Sequence, residues 1–92
     1  MRYAGLQTVQ IADIRGSEGR AKEFDDQFNP LTDQSRQRWQ SVAGALDEGQ
    51  PLPPVQLIQM GGVYYVRDGH HRVSVNHALG QEVIEAEVTV WE

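Results

Sequence analysis

Two β-prone runs, VQLIQM (residues 55–60) and VYYVR (residues 63–67), are joined by nothing but Gly61 and Gly62. A pair of runs closed by a two-residue glycine link turns back on itself as a β-hairpin. The next residues narrow the choice of fold further. DGHHR, residues 68–72, breaks the β pattern; Val73, Val75, Ala78 and Leu79 then suit a short helix, and Gly80 suits its C-terminal stop. The valines weaken that helix slightly, because branching at Cβ restricts the side chain. Beyond it, Ile84, Ala86, Val88 and Val90 alternate with Glu85, Glu87, Thr89 and Trp91, the pattern of a half-buried strand.

Upstream of the hairpin, residues 32–48 read as a helix. Trp39, Val42, Ala43 and Leu46 fall at i, i+3, i+4 and i+7, one apolar stripe. Thr32 or Asp33 is placed to cap its start and Gly49 to end it. Pro51, Pro53 and Pro54 forbid continuation and favour an extended approach to the next strand. Residues 8–14 (TVQIADI) carry apolar side chains at 9, 11 and 14, which fits a short strand running into a turn. Residues 15–30 are polar, with two glycines and a proline, and read as a long loop with a helical turn near 22–27. Loops of that length in small domains tend to be functional or mobile. The expected order is strand, loop, helix, hairpin, helix, strand: a small α+β domain over residues 1–92 with two to three helices.

Composition removes whole classes of function. With no cysteine there is no disulfide framework, thiolate metal site or cysteine nucleophile, and a reducing, cytoplasmic setting is favoured. No apolar run approaches the roughly 18 residues of a membrane span, and the first 14 residues lack the apolar segment of a signal peptide. The formal net charge is −5, and the eight basic residues are scattered. Gripping DNA through its phosphates needs a basic face, so any DNA contact is expected through a module outside this chain.

The chemistry gathers at DGHHR. A strand, a tight turn and a helix start form a geometry that binds anions, since the first helical N–H groups lack internal partners and carry the positive end of the dipole. Gly69 permits a close backbone approach or a positive φ. Arg72 offers a forked donor to phosphate oxygens, and His70 and His71 add further donors. Asp68 is placed to hold magnesium beside substrate phosphates, or to accept a proton from an attacking hydroxyl. Plainer roles compete with these. Asp68 as a helix cap, Arg72 as a surface charge, Trp39 as core and His77 as a structural or exposed residue all fit the sequence. Three histidines without a cysteine fall short of a convincing zinc set, and neither zinc nor haem is expected.

Residues 52–90, with their proline-led strand, hairpin, glycine-basic box and closing strand, resemble the ParB/sulfiredoxin superfamily, and specifically the ParB N-terminal or "ParB-like nuclease" domain. TVQIADIRGSEGR (residues 8–20) resembles the first box of that domain, without its usual proline-arginine signature. The resemblance covers about four-fifths of the chain and implies a small mixed sheet of ParB/sulfiredoxin type. It also implies nucleotide binding at Gly69, His70, His71 and Arg72, with Arg15 or Arg20 from the first loop closing over the phosphates. ParB proteins carry a G-E-R-R box that binds and hydrolyses CTP; here His70 and His71 replace the glutamate and the first arginine. Sulfiredoxins carry a cysteine in a G-C-H-R box; here that position is His70, which excludes sulfiredoxin chemistry. Kinases of free serine, a third branch, pair an acidic residue with a glycine-His-Arg turn. By that likeness Asp68 serves magnesium or the substrate hydroxyl, and Glu18 or Glu23 is the general base.

Three functions are therefore expected in order. The first is a nucleotide-binding domain, a nucleoside triphosphate switch or slow NTPase using magnesium, in a DNA-partitioning or transcription-regulating setting and able to pair with itself. The second is a small-molecule phosphotransferase. The third is a non-enzymatic interaction module. Nuclease chemistry, which needs a basic groove and a metal-carboxylate cluster, fits poorly. The chain reads equally as a stand-alone domain or as the first domain of a longer protein.

Overall fold

The computed structural model describes residues 1–17, 33–50 and 52–91, with side chains in the first helix from residue 36 onward. Its elements are β1 (Arg2–Gln10), a 3-10 turn (Ile11–Asp13), β2 (Ile14–Ser17), α1 (Asp33–Asp47), β3 (Val55–Met60), β4 (Val63–Asp68), α2 (His70–Ala78) and β5 (Val83–Val90). The strands form one mixed sheet in the order β1-β5-β3-β4-β2.

The hairpin forms as the sequence dictates. Met60 pairs with Val63 across the glycine link, and Gly61 supplies the positive φ, +64°, that a tight hairpin turn requires. From β4 the chain crosses through α2 and returns as β5, parallel to β3. Parallel neighbours need a crossover of about a dozen residues, usually helical, and α2 provides it. The hairpin partner β4 and the crossover partner β5 thus place β3 at the centre of the sheet.

The core is small and aliphatic: Val9, Ile14, Val55, Leu57, Val66, Val73, Ala86 and Val88 pack together. Val73 brings α2 onto that face of the sheet, and Val73 and Val75 are both fully buried. Burial of this kind outweighs the modest helix-propensity loss of a valine. Helix α1 packs on α2. Its Trp39, Val42, Ala43 and Leu46 are half-buried, and Trp39 Nε1 donates a 2.8 Å hydrogen bond to Oγ of the buried Ser74 on α2. Gly49 ends α1 at φ +74°, with Gln50 N–H donating back to the Ala45 carbonyl.

The N-terminus departs from the sequence expectation. The pattern over residues 8–14 predicts one short strand, yet β1 starts at Arg2 and stops at Gln10, and a 3-10 turn and a second strand follow. Val9, Ile11 and Ile14 are all buried as expected, but by a strand, a turn and another strand in succession. The extra length of β1 comes from antiparallel pairing with β5, Arg2 opposite Val90 and Gln10 opposite Val83. Tyr3 and Leu6 stay exposed on this edge strand, so no buried alternation marks it. The helical turn expected near residues 22–27 lies outside the described residues.

Candidate functional site

Five residues, Asp68 to Arg72, converge where β4 hands over to α2. Asp68 ends β4, Gly69 is the residue before the helix, and α2 begins at His70. Gly69 adopts the left-handed conformation, φ +99°. A Cβ placed there would stand 2.5 Å from Val55 Cγ1 and 2.8 Å from Val55 Cβ, closer than carbon atoms tolerate. The glycine is therefore demanded twice, by backbone conformation and by the packing of the turn on β3.

No side chain caps α2, so Asp68 does not act as its cap. Its carboxylate is 62% exposed and meets Arg72 Nη2 at 3.2 Å. Arg72 is the most engaged side chain of the group. Its Nη1 donates to the backbone carbonyls of Pro53 (2.6 Å) and Pro54 (3.0 Å), while Nη2 takes Asp68. The guanidinium thereby fastens the first turn of α2 to the segment that leads into β3. His70 is buried, 2% exposed, and its Nε2 hydrogen-bonds Ser17 Oγ at the end of β2. This contact joins α2 to the edge strand. His71 is half-buried, with its Nε2 atom shielded from solvent.

The first backbone hydrogen bond of α2 runs from Val73 N–H to the Gly69 carbonyl, 3.0 Å. The amides of His70, His71 and Arg72 precede it, at the positive end of the helix. A cavity of about 270 Å³ opens beside this turn. It is lined by Asp68, Gly69, His70, His71 and Arg72 of the turn, by Leu52 and Pro53 ahead of β3, and by Arg38 and Val42 of α1. Arg38 stands four residues before Val42, a member of the Trp39–Leu46 stripe, and one before Trp39. The cavity can hold a small anionic group near a helix start, with an arginine from each of α1 and α2 in its lining.

Of the other candidates, Arg15 is exposed on β2 and does not line this cavity. Glu18, Arg20 and Glu23 lie outside the described residues. His77 is exposed, whereas His70 is buried, so the two do not share an environment. Sequence reasoning passes over Arg38. The available signal is its position one residue before Trp39 and four before Val42, which puts it beside the stripe that docks on α2.

No family model matches the sequence, and no curated protein does. Solved structures do. Sulfiredoxin from Arabidopsis thaliana aligns with a TM-score of 0.68 at 17% identity, over 94% of this chain and 85% of that one. A Pnob8-like ParB-N domain structure aligns with a TM-score of 0.66 at 14% identity, over 98% of this chain and 31% of the other. A conserved hypothetical protein from Pyrococcus furiosus gives 0.63 at 16% identity, over 98% of this chain and 33% of the other. The chain thus spans about a third of the length of the last two.

Proposed function

On the ParB/sulfiredoxin fold that this chain adopts, we propose that the cavity at the start of α2 binds the phosphates of a nucleotide. The domain then works as a nucleotide-dependent switch or slow nucleoside triphosphatase. The observation that carries this reading is a cavity of about 270 Å³ lined both by a helix start, Gly69 to Arg72, and by Arg38 of α1. The phosphates lie along the first turn of α2, over Gly69, His70 and His71 with Arg72 beside them. Asp68 faces the same space, and one carboxylate together with phosphate oxygens is an ordinary magnesium set. Bound magnesium would neutralise phosphate charge next to that carboxylate.

Binding is favoured over phosphoryl transfer to a small acceptor. Among the described residues Asp68 is the one carboxylate lining the cavity, and it is already ion-paired with Arg72. A switch of this kind belongs in the cytoplasm, where nucleotides are. Its output would be a change in self-association, and any DNA contact would come through another module. Among the described residues no helix is long and apolar enough to cross a membrane.

The test is a thermal shift against ATP, ADP, CTP and GTP, with and without magnesium, followed by ¹H–¹⁵N spectra with the nucleotide that binds. A ligand at 100 times its Kd adds about 2.7 kcal/mol, which raises Tm by roughly 10–20 °C in a domain of this size. Amide shifts centred on Gly69 to Arg72 are expected. No thermal shift with any nucleotide, or spectral changes confined to another face, would refute the proposal and leave the interaction-module reading.

A further inference from the structure

Building on the nucleotide-binding reading, we infer that Arg38 on α1 is the arginine that grips the ligand's phosphate, and that Arg72 positions the cavity wall. Arg38 from α1 and Arg72 from α2 line the same cavity. Their commitments differ sharply. Arg72 already holds three oxygens, the Pro53 and Pro54 carbonyls and the Asp68 carboxylate. Its charge is offset by Asp68, and a phosphate placed beside it meets that carboxylate as well.

Arg38 is exposed and, among the described residues, makes no hydrogen bond or ion pair. All five of its N–H donors are available in the fork geometry that suits a phosphate. Its backbone is nonetheless well placed. Arg38 sits next to Trp39, whose indole is hydrogen-bonded to Ser74 of α2, and one turn before Val42, which shares the cavity wall. The helix that carries Arg38 is thus tied to the helix whose first turn also lines the cavity. An uncompensated cation on an anchored helix, lining the same cavity as a helix start, is an arrangement for holding an anion between them. Arg72 plays the complementary part, since by fastening the 53–54 segment to α2 it keeps the second wall in place.

The experiment is isothermal titration of the parent, Arg38→Ala and Arg38→Lys with whichever of magnesium ATP, ADP, CTP or GTP the parent binds, at low and high salt. Losing a charge-assisted contact weakens binding by roughly 10- to 100-fold. Arg38→Ala is expected to show that loss, with the melting temperature of the unliganded domain changed by no more than a few degrees. Arg38→Lys keeps the charge but not the fork and should fall between. The salt dependence of binding should also be shallower in Arg38→Ala. If the parent binds a nucleotide and Arg38→Ala binds it equally well, the assignment of Arg38 is overturned while nucleotide binding stands. If the parent binds none of them, nucleotide binding itself fails and the assignment falls with it.

Discussion

Replacing Gly69 with alanine puts the packing of the site turn on trial. The residue sits at φ +99°, where an L side chain costs about 1–2 kcal/mol. The new Cβ also lands 2.5 Å from Val55 Cγ1 and 2.8 Å from Val55 Cβ. Val55 is 1% exposed in the centre of the sheet and cannot swing into solvent, so relief must come from movement of the turn or of β3. Overpacking of this kind costs about 1–3 kcal/mol. Together the two effects amount to roughly 2–5 kcal/mol, a large share of the stability of about 5–14 kcal/mol expected for a chain of this length. Urea unfolding followed by tryptophan fluorescence and far-UV circular dichroism measures the loss. Val55→Ala removes the nearer of the two contacts, the one with Cγ1. In the double variant the contact with Val55 Cβ and the backbone cost remain, so the two substitutions should cost about 1 kcal/mol less together than the sum of their separate effects. A Gly69→Ala variant within about 0.5 kcal/mol of the parent, or strictly additive substitutions, would show that the turn is not wedged against Val55.

Arg72→Ala removes three hydrogen bonds between α2, the 53–54 segment and Asp68, and should destabilise the domain by about 1–3 kcal/mol in urea unfolding. Arg72→Lys, with a single ammonium in place of the fork, should recover only part of that. Asp68→Asn breaks an exposed i,i+4 pair worth about 0.3–0.5 kcal/mol, so unfolding should barely change; the magnesium dependence of the nucleotide-induced thermal shift should diminish. Trp39→Phe removes the donor to the buried Ser74 hydroxyl and should cost about 1–3 kcal/mol. Ser74→Ala added to it should cost less than the separate sum in a double-mutant cycle.

The sequence discloses what local patterns can carry. The hairpin is legible because its glycine link admits one kind of turn, and α1 because its four apolar residues repeat at helical spacing. The first six residues of β1 are not, because Arg2 becomes strand only through Val90, at the far end of the chain. Strand β2, four residues long and parallel to β4, is equally silent in its own composition. The site divides in the same way. The DGHHR turn can be located by its composition, yet which of its side chains reach the cavity is a tertiary matter. Arg72 is claimed by carbonyls 18 and 19 residues upstream, and His70 by Ser17, 53 residues away. Arg38 enters only through the docking of α1 on α2. The expected contributions of Glu18, Arg20 and Glu23 fall outside the described residues.

The central place of β3 bears on how the cavity can change width. The turn at Gly69 abuts Val55, the first residue of that strand, and Arg72 clasps the two residues just before it. Displacing this wall means displacing the middle of a five-stranded sheet together with its aliphatic core. Helix α1, by contrast, is seated on α2, with the Trp39–Ser74 bond across their interface. The two sides of the cavity are therefore held differently: the turn is built onto the middle of the sheet, and the α1 side is carried by the α1–α2 interface.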